Sequence, residues 1–368
     1  MNTGTSLIKR GFRSLFFRMG KRSLGSICQA AVVLAVVCAS ATYGYAQSKP
    51  YSRRRGAPEG AVARPASAAV FNGSELDYRN IATAKSFDRN GDLTYNPYYA
   101  MELHLAPAFR LGSHLGVKLD FLLNREFTRS DVTTKSGEVM LADIFFELTA
   151  RKLPQIPVLK VKWTPALRLY VPSSKVSQTR TLILGIRPEL TLSRKFKVFD
   201  GLVFAYVFSV RKDLHESTTA VTEAPIITPA MGSARSLESF SNLGKRNVSV
   251  AVTNVFSISL AFKKRFAALL GFAVAHGFLY DLENKDSRIS YEPGSDIRVR
   301  YHMMYTGELS YAPRRWITLA LGFATENEQL ALNSTYRAPF FNRYTAIFFD
   351  VRVDIPGLAS RLLSRGNK

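Results

Sequence analysis

The sequence predicts an all-β chain, one closed antiparallel transmembrane barrel of about twelve strands. Three observations carry that prediction. From about residue 97 to 355, segment after segment alternates apolar and polar residues with period two over 12 to 16 positions. The connections between these segments are alternately short and long. A basic and then apolar N-terminal stretch reads as an export signal, and no later apolar run approaches the ~20 residues a membrane-spanning helix needs.

Residues 1–46 form the targeting segment and stand outside the fold. Lys9, Arg10, Arg13, Arg18, Lys21 and Arg22 come first with no acidic residue among them, and the apolar run Ile27 to Ala41 follows. Small residues offer cleavage after Ala41 or Ala46, and the second leaves Gln47 first. Met19 would begin a signal of ordinary size, so residues 1–18 read as a misplaced start. An organellar transit peptide is the rival reading, opposed by the compact apolar run. Both cysteines, Cys28 and Cys38, fall in this segment, so the exported chain is expected to use neither disulfides nor thiolate metal sites. Residues 47–75, rich in Ala, Gly, Pro and Arg without a period, read as a disordered periplasmic leader.

A formal charge of +22, or +16 without the six signal charges, would suit a nucleic-acid binder. Export argues against that partner, and the placement of the charges along strand faces accounts for them better.

Two segments show the strand pattern most clearly. In 158–171 one face reads Leu159, Val161, Trp163, Pro165, Leu167, Leu169, Val171, and the other Lys160, Lys162, Thr164, Ala166, Arg168, Tyr170. In 297–311 the apolar face runs from Ile297 to Tyr311, and the other carries Arg298, Arg300, His302, Met304, Thr306, Glu308, Ser310. Basic residues spaced along a whole face suit a tilted membrane strand better than a soluble sandwich. The remaining segments are 98–111, 114–127, 139–150, 180–194, 199–213, 248–262, 266–281, 314–326 and 343–355, with a bulge expected at Asn254. These make eleven strands. With both termini on the short-turn side, parity requires one more, and 76–88 is the candidate. Ten or fourteen strands are the alternatives.

The longer connections are 128–138, 172–179, 214–247, 282–296 and 327–342. The short ones are basic: Arg151, Lys152, Arg194, Lys195, Lys197, Lys263, Lys264, Arg265, Arg314 and Arg315. Anionic head groups and plain solvation are the two readings of these charges. Aromatic residues gather near strand ends (Tyr95, Tyr98, Tyr99, Tyr170, Tyr280, Tyr311, Trp316, Phe340, Phe341, Tyr344), as interfacial girdles require.

Over residues 76–355 this pattern resembles the Gram-negative outer-membrane β-barrel (porin-like) superfamily. The resemblance implies outer-membrane localisation after signal cleavage, with outer-membrane lipid, the barrel-assembly machinery and small, anionic solutes as partners. It departs from that scheme at the C-terminus. A tail, Pro356 to Lys368, follows the last strand, and there are two readings: Phe348, Phe349 or Val353 replaces the usual terminal aromatic residue, or the tail is an add-on.

If the apolar faces meet lipid, the lumen carries Arg110, Lys118, Lys160, Lys162, Arg168, Arg187, Arg211, Arg298, Arg300 and Arg352. Its acids are Glu102, Asp120, Asp143, Glu147, Glu189, Glu308 and Asp350. This mildly cationic wall predicts a passive channel or small porin that prefers anions, with these charges as selectivity residues. The same charges could instead close the lumen as a salt-bridge ladder. A non-conducting structural or adhesive barrel acting through the 214–247 loop is therefore the second reading. An outer-membrane hydrolase is the third. His104, His114, His215, His276 and His302 form no metal-ligand spacing, and no Gly-x-Ser-x-Gly is present. His104 with His302, near Ser310 or Ser249, is the weak candidate. The run Asp88 to Asp92 resembles a calcium loop but has Leu93 at the glycine position, so a turn is expected there. The chain is read as non-enzymatic and without a cofactor.

Overall fold

The computed structural model describes residues 73–84, 98–128, 137–219, 246–281, 298–328, 336–342 and 344–366. The expected export segment, the leader to residue 72, the Asp88 to Asp92 run and the interior of the 214–247 loop lie outside the described residues.

Fourteen strand segments form one sheet. They are β1 (Glu75–Thr83), β2 (Tyr99–Ala106), β3 (Ala108–Leu111), β4 (Leu115–Glu126), β5 (Val139–Leu141), β6 (Ile144–Ala150) and β7 (Lys162–Val171). The second half is β8 (Leu182–Phe196), β9 (Gly201–His215), β10 (Val248–Phe262), β11 (Phe266–Leu279), β12 (Val299–Arg314), β13 (Ile317–Glu328) and β14 (Thr345–Asp354). A short helix, α1 (Lys175–Thr179), sits in the β7–β8 connection, and α2 (Ile355–Gly366) follows the last strand.

Two staves are interrupted, so the fourteen segments make twelve staves. β2 and β3 break at Pro107, which has no N–H for the ladder, although its carbonyl still accepts from Leu119 N at 2.9 Å. β5 and β6 break at Ala142 and Asp143 and both pair with β4. Every pairing is antiparallel. β1 pairs with β2 on one side and with β14 on the other, from Glu75↔Asp354 to Thr83↔Ala346, so the sheet closes and leaves no unpaired edge.

The stave required by parity is β1. Its alternation is weak because Asn80 stands on the outer face while Ile81 is buried inside against Ala100, Ala324 and Phe348. Strand ends differ from expectation by a few residues. β7 begins at Lys162 rather than 158, because Lys160 adopts a left-handed conformation (φ 51°) and an Ile156–Val161 bridge closes the turn. β12 extends to Arg314, which leaves Arg315 and Trp316 as the turn into β13. The register runs unbroken through Asn254, so there is no bulge at that position; the shift falls between Val248 and Val250. Asn254 instead lies on the outer face, where Tyr206 Oη donates to its Oδ1 at 2.6 Å.

Ladder lengths are uneven. The β10–β11 register holds 14 residue pairs, whereas β4–β6 and β6–β7 hold six each.

Candidate functional site: the lumen

Residues of one parity point into a common interior. The register aligns Arg79 with Glu102 and Asp350, Glu147 with Arg168, and Arg168 with Arg187. That this face is the concave one follows from one contact. Arg352 Nη2 of β14 lies 2.7 Å from Glu308 Oε1 of β12, although β13 runs between them. Side chains can meet across an intervening stave only on the inside of the curve. β13 leaves them room, because Gly322 stands at the level of Glu308, Thr318 at that of Arg352, and only Ala320 lies between those two on this face. The opposite parity gives an apolar outer belt, with Leu103, Leu123, Phe146, Phe204, Phe256, Leu270, Leu309, Leu321 and Phe349 all exposed, the pattern of a barrel wall that faces lipid.

On the wall formed by β1, β2, β12 and β14 the charges run in a relay. Glu102 lies 3.7 Å from Arg79, whose Nε lies 2.7 Å from Asp350; Asp350 in turn takes Arg352 at 3.1 Å, and Arg352 reaches Glu308. Beside it His104 stands between two carboxylates, with Nε2 2.8 Å from Asp120 and Nδ1 3.4 Å from Asp77.

A second cluster covers β6 to β9. Arg168 pairs with Glu147 at 2.5 Å and with Glu189 at 3.5 Å. Arg187 reaches Glu189 at 3.4 Å, and donates to Ser209 Oγ at 2.9 Å and Tyr170 Oη at 3.3 Å. Arg211 lies over the Tyr170 ring and pairs with the buried Asp213 at 2.7 Å. Gly185 makes that pair fit, since a Cβ there would stand 2.7 Å from Asp213 Oδ1. Between the two clusters the inner faces of β10 and β11 carry small or uncharged residues such as Thr253, Ser257, Ser259, Gly271, Ala273 and Ala275.

Expected site residues therefore fall into two groups. Arg110, Lys118, Lys162, Arg168, Arg187, Arg211, Arg300, Arg352, Glu102, Asp120, Glu147, Glu189, Glu308 and Asp350 stand on inward positions. Lys160 and Arg298 do not. Lys160 is exposed in the β6–β7 turn, and Arg298 is exposed one residue before β12 begins. In both cases the alternation was carried past the point where the chain turns. Asp143 sits at the β5–β6 break, where Ser177 Oγ donates to it at 2.5 Å and Ser174 N at 3.1 Å, tying α1 to the rim.

Sequence reasoning missed further inward charges, among them Arg79, Glu75, Asp77, Glu126, Asp213, Glu326 and Asp354. The added acids remove the cationic excess read from the sequence. Tyr170, expected in an aromatic girdle, is buried inside under Arg211. Phe340 and Phe341 are exposed as a girdle requires, and the Phe340 carbonyl accepts from Thr325 Oγ1 at 3.2 Å.

At the long-loop end Arg180 follows α1. Its carbonyl accepts from Asn247 Nδ2 at 2.9 Å and meets His215 Nδ1 at 2.6 Å, so the bases of two loops are joined. Burial pushes the Arg180 guanidinium down to about 10, with Arg300 and Arg211 adding to the effect and Asp213 and Asp143 opposing it. It stays charged at neutral pH.

No family model matches this chain, and no curated protein matches it in sequence. Solved structures do match. An outer-membrane channel from Pseudomonas putida F1 superposes with a TM-score of 0.50 at 10% identity, over 81% of this chain and 98% of that one. The NanC porin gives 0.40 at 11% identity, over 76% of this chain and 98% of that one. The KdgM porin gives 0.36 at 10% identity with the same coverage. At such identities the likeness is one of architecture: the chain shares a closed-barrel fold with the Pseudomonas putida outer-membrane channel.

Proposed function

We propose that this protein is a passive outer-membrane channel for small polar solutes, with its short turns in the periplasm and its long loops outside. One observation carries the reading. The inner guanidiniums of Arg79, Arg168, Arg187, Arg211 and Arg352 are paired, yet each side chain keeps 11 to 18% of its surface accessible inside the closed wall. Burying so many charges in a dry interior would cost several kcal/mol apiece, so a hydrated lumen is the stable arrangement. A strand spacing of about 4.8 Å and a tilt of about 40° put a twelve-stave wall about 24 Å across its backbone. That leaves space between side chains from opposite walls.

The anion preference belongs to the long-loop mouth rather than to the whole wall. The Arg180 charge there is within electrostatic reach of Arg300 and Arg211 and, on the acidic side, of Asp213 and Asp143. Single-channel conductance across a planar bilayer under a salt gradient tests the reading, after folding is checked by heat-dependent gel mobility. Steady conductance supports it. Silence from folded protein refutes it and moves attention to the 214–247 loop. Hydrolysis gains little from the geometry, since both ring nitrogens of His104 already face carboxylates.

A further inference from the structure

The short-turn end of the barrel has a surface that conduction does not use. Among the described residues six other than glycine adopt left-handed backbone conformations, and five of them lie in the short turns: Lys152, Lys160, Phe199, Lys263 and Lys264. Glycine would hold each of those positions without the roughly 1–2 kcal/mol that a side chain costs there. The β10–β11 turn shows this best. Lys263 and Lys264 occupy the two positions where Asn-Gly is the cheapest pair, and Asp200 Oδ2 accepts from the Lys264 N–H at 2.6 Å. The chain has kept a cation where a glycine would be more stable.

The same end exposes large apolar side chains beside those cations. Val158 is 91% exposed, Phe199 80% and Leu362 61%. The β6–β7 turn that carries Val158 is drawn toward the lipid-facing side, where Trp163 Nε1 donates to the Pro154 carbonyl at 3.0 Å.

Leu362 belongs to α2, which starts firmly. Asp354 Oδ2 accepts from Gly357 N at 3.1 Å as its N-cap. The helix then leaves the barrel at the β12–β13 turn, where the Arg361 guanidinium lies 5.8 Å from the Trp316 ring. Ile355, Leu358 and Leu362 recur at helical spacing on one stripe, with Ser360 and Arg361 off it. An amphipathic helix with an exposed leucine and a cation beside a tryptophan has the composition of a helix lying in a membrane interface.

We propose that α2 and the basic, apolar-tipped short turns form a collar that seats on the leaflet at the short-turn end and selects anionic phospholipid head groups. Apolar tips enter the acyl boundary while the lysines and arginines meet the head-group charge, each adding about fivefold to the attraction.

The test uses the full chain with Cys28→Ser and Cys38→Ser, which leaves it free of cysteine, and one introduced Leu362→Cys carrying an environment-sensitive fluorophore. The folded protein is placed in phosphatidylcholine vesicles with or without phosphatidylglycerol. The expected result is quenching by nitroxide on the upper acyl chain, loss of quenching by aqueous iodide, and a further loss of iodide access when phosphatidylglycerol is present. Iodide access undiminished by either lipid would overturn the proposal. Protection from both quenchers would also overturn it, by placing α2 against the barrel or another protein. A second variant, Lys263→Asn with Lys264→Gly, relaxes the turn and removes its charge. It should fold as well as the parent in phosphatidylcholine and lose part of the added stability that phosphatidylglycerol gives. An unchanged phosphatidylglycerol effect would remove this turn from the collar.

Discussion

The contact between Arg352 and Glu308 fixes which face of the sheet is the inside, so its energetics test the whole reading of the lumen. The perturbation is a double-mutant cycle of Arg352→Gln, Glu308→Gln and the pair. Two unit charges ~4 Å apart at an effective dielectric of ~20 attract by about 4 kcal/mol before other costs. Two features of the site reduce that figure. Arg352 is 18% accessible to lumen water, and it keeps Asp350 at 3.1 Å when Glu308 is neutralised. A coupling of about 1–2 kcal/mol remains, inside the range seen for residues in one charge network. Urea unfolding of vesicle-inserted protein, followed by gel mobility, reads it out. With a slope of about 2 kcal/mol per molar urea, the double mutant should depart from additivity by about 0.5–1 M. Additive effects within about 0.4 kcal/mol would refute the reasoning, because residues that never meet behave that way.

Further expectations follow from the same geometry. Gly322→Val should lower the free energy of unfolding by about 1–3 kcal/mol, since a Cβ there would stand 2.4 Å from the Gly307 carbonyl oxygen and 2.5 Å from the Phe348 ring; an unchanged unfolding midpoint contradicts that packing. Leu321→Arg on the outer face should cost about 2–4 kcal/mol if it lies near the bilayer midplane, while Ser310→Arg inside should cost far less; equal costs would reverse the assignment of faces. In bilayers under a salt gradient, Arg211→Glu with Arg300→Glu should move the reversal potential toward cations. Lys160→Glu with Arg298→Glu should move it much less, because neither side chain stands in a stave; the opposite order would discard Arg211 and Arg300 as the selective pair.

Much of the architecture was legible because a barrel wall imposes one rule on every stave, lipid on one side and water on the other. Period two and the rhythm of connections were enough to place eleven staves, and parity supplied the twelfth. Legibility failed where a local exception overrode the rule. Asn254 looked like a slip in register, but it is a polar residue on the outer face satisfied by Tyr206. Lys160 and Arg298 kept the right parity beyond the last paired residue. Arg79 and Asp77 were hidden in a stave whose outer face includes Asn80 and whose inner face includes Ile81, which leaves almost no contrast. Asp213, two residues after Arg211 on the same face, could have been found by continuing the alternation. The pairings themselves, such as Arg352 with Glu308, were beyond the sequence, because they join staves that share no hydrogen bonds.

The uneven ladder has a consequence for how the barrel assembles and opens. Staves β8 to β12 are neighbours in sequence joined by long registers, up to 14 residue pairs between β10 and β11. Such a hairpin array closes only short loops for each strand it adds, so it can form early at low entropic cost. The interrupted staves β2–β3 and β5–β6 lie in the sector where β4 meets β6 through six pairs and β6 meets β7 through six. With the fewest pairs between sequence neighbours, that sector is expected to be the first part of the wall to open, while the β1–β14 pairing, which joins the two ends of the chain, is the last to close. Backbone amide protons of β6 should exchange with solvent well before those of β10.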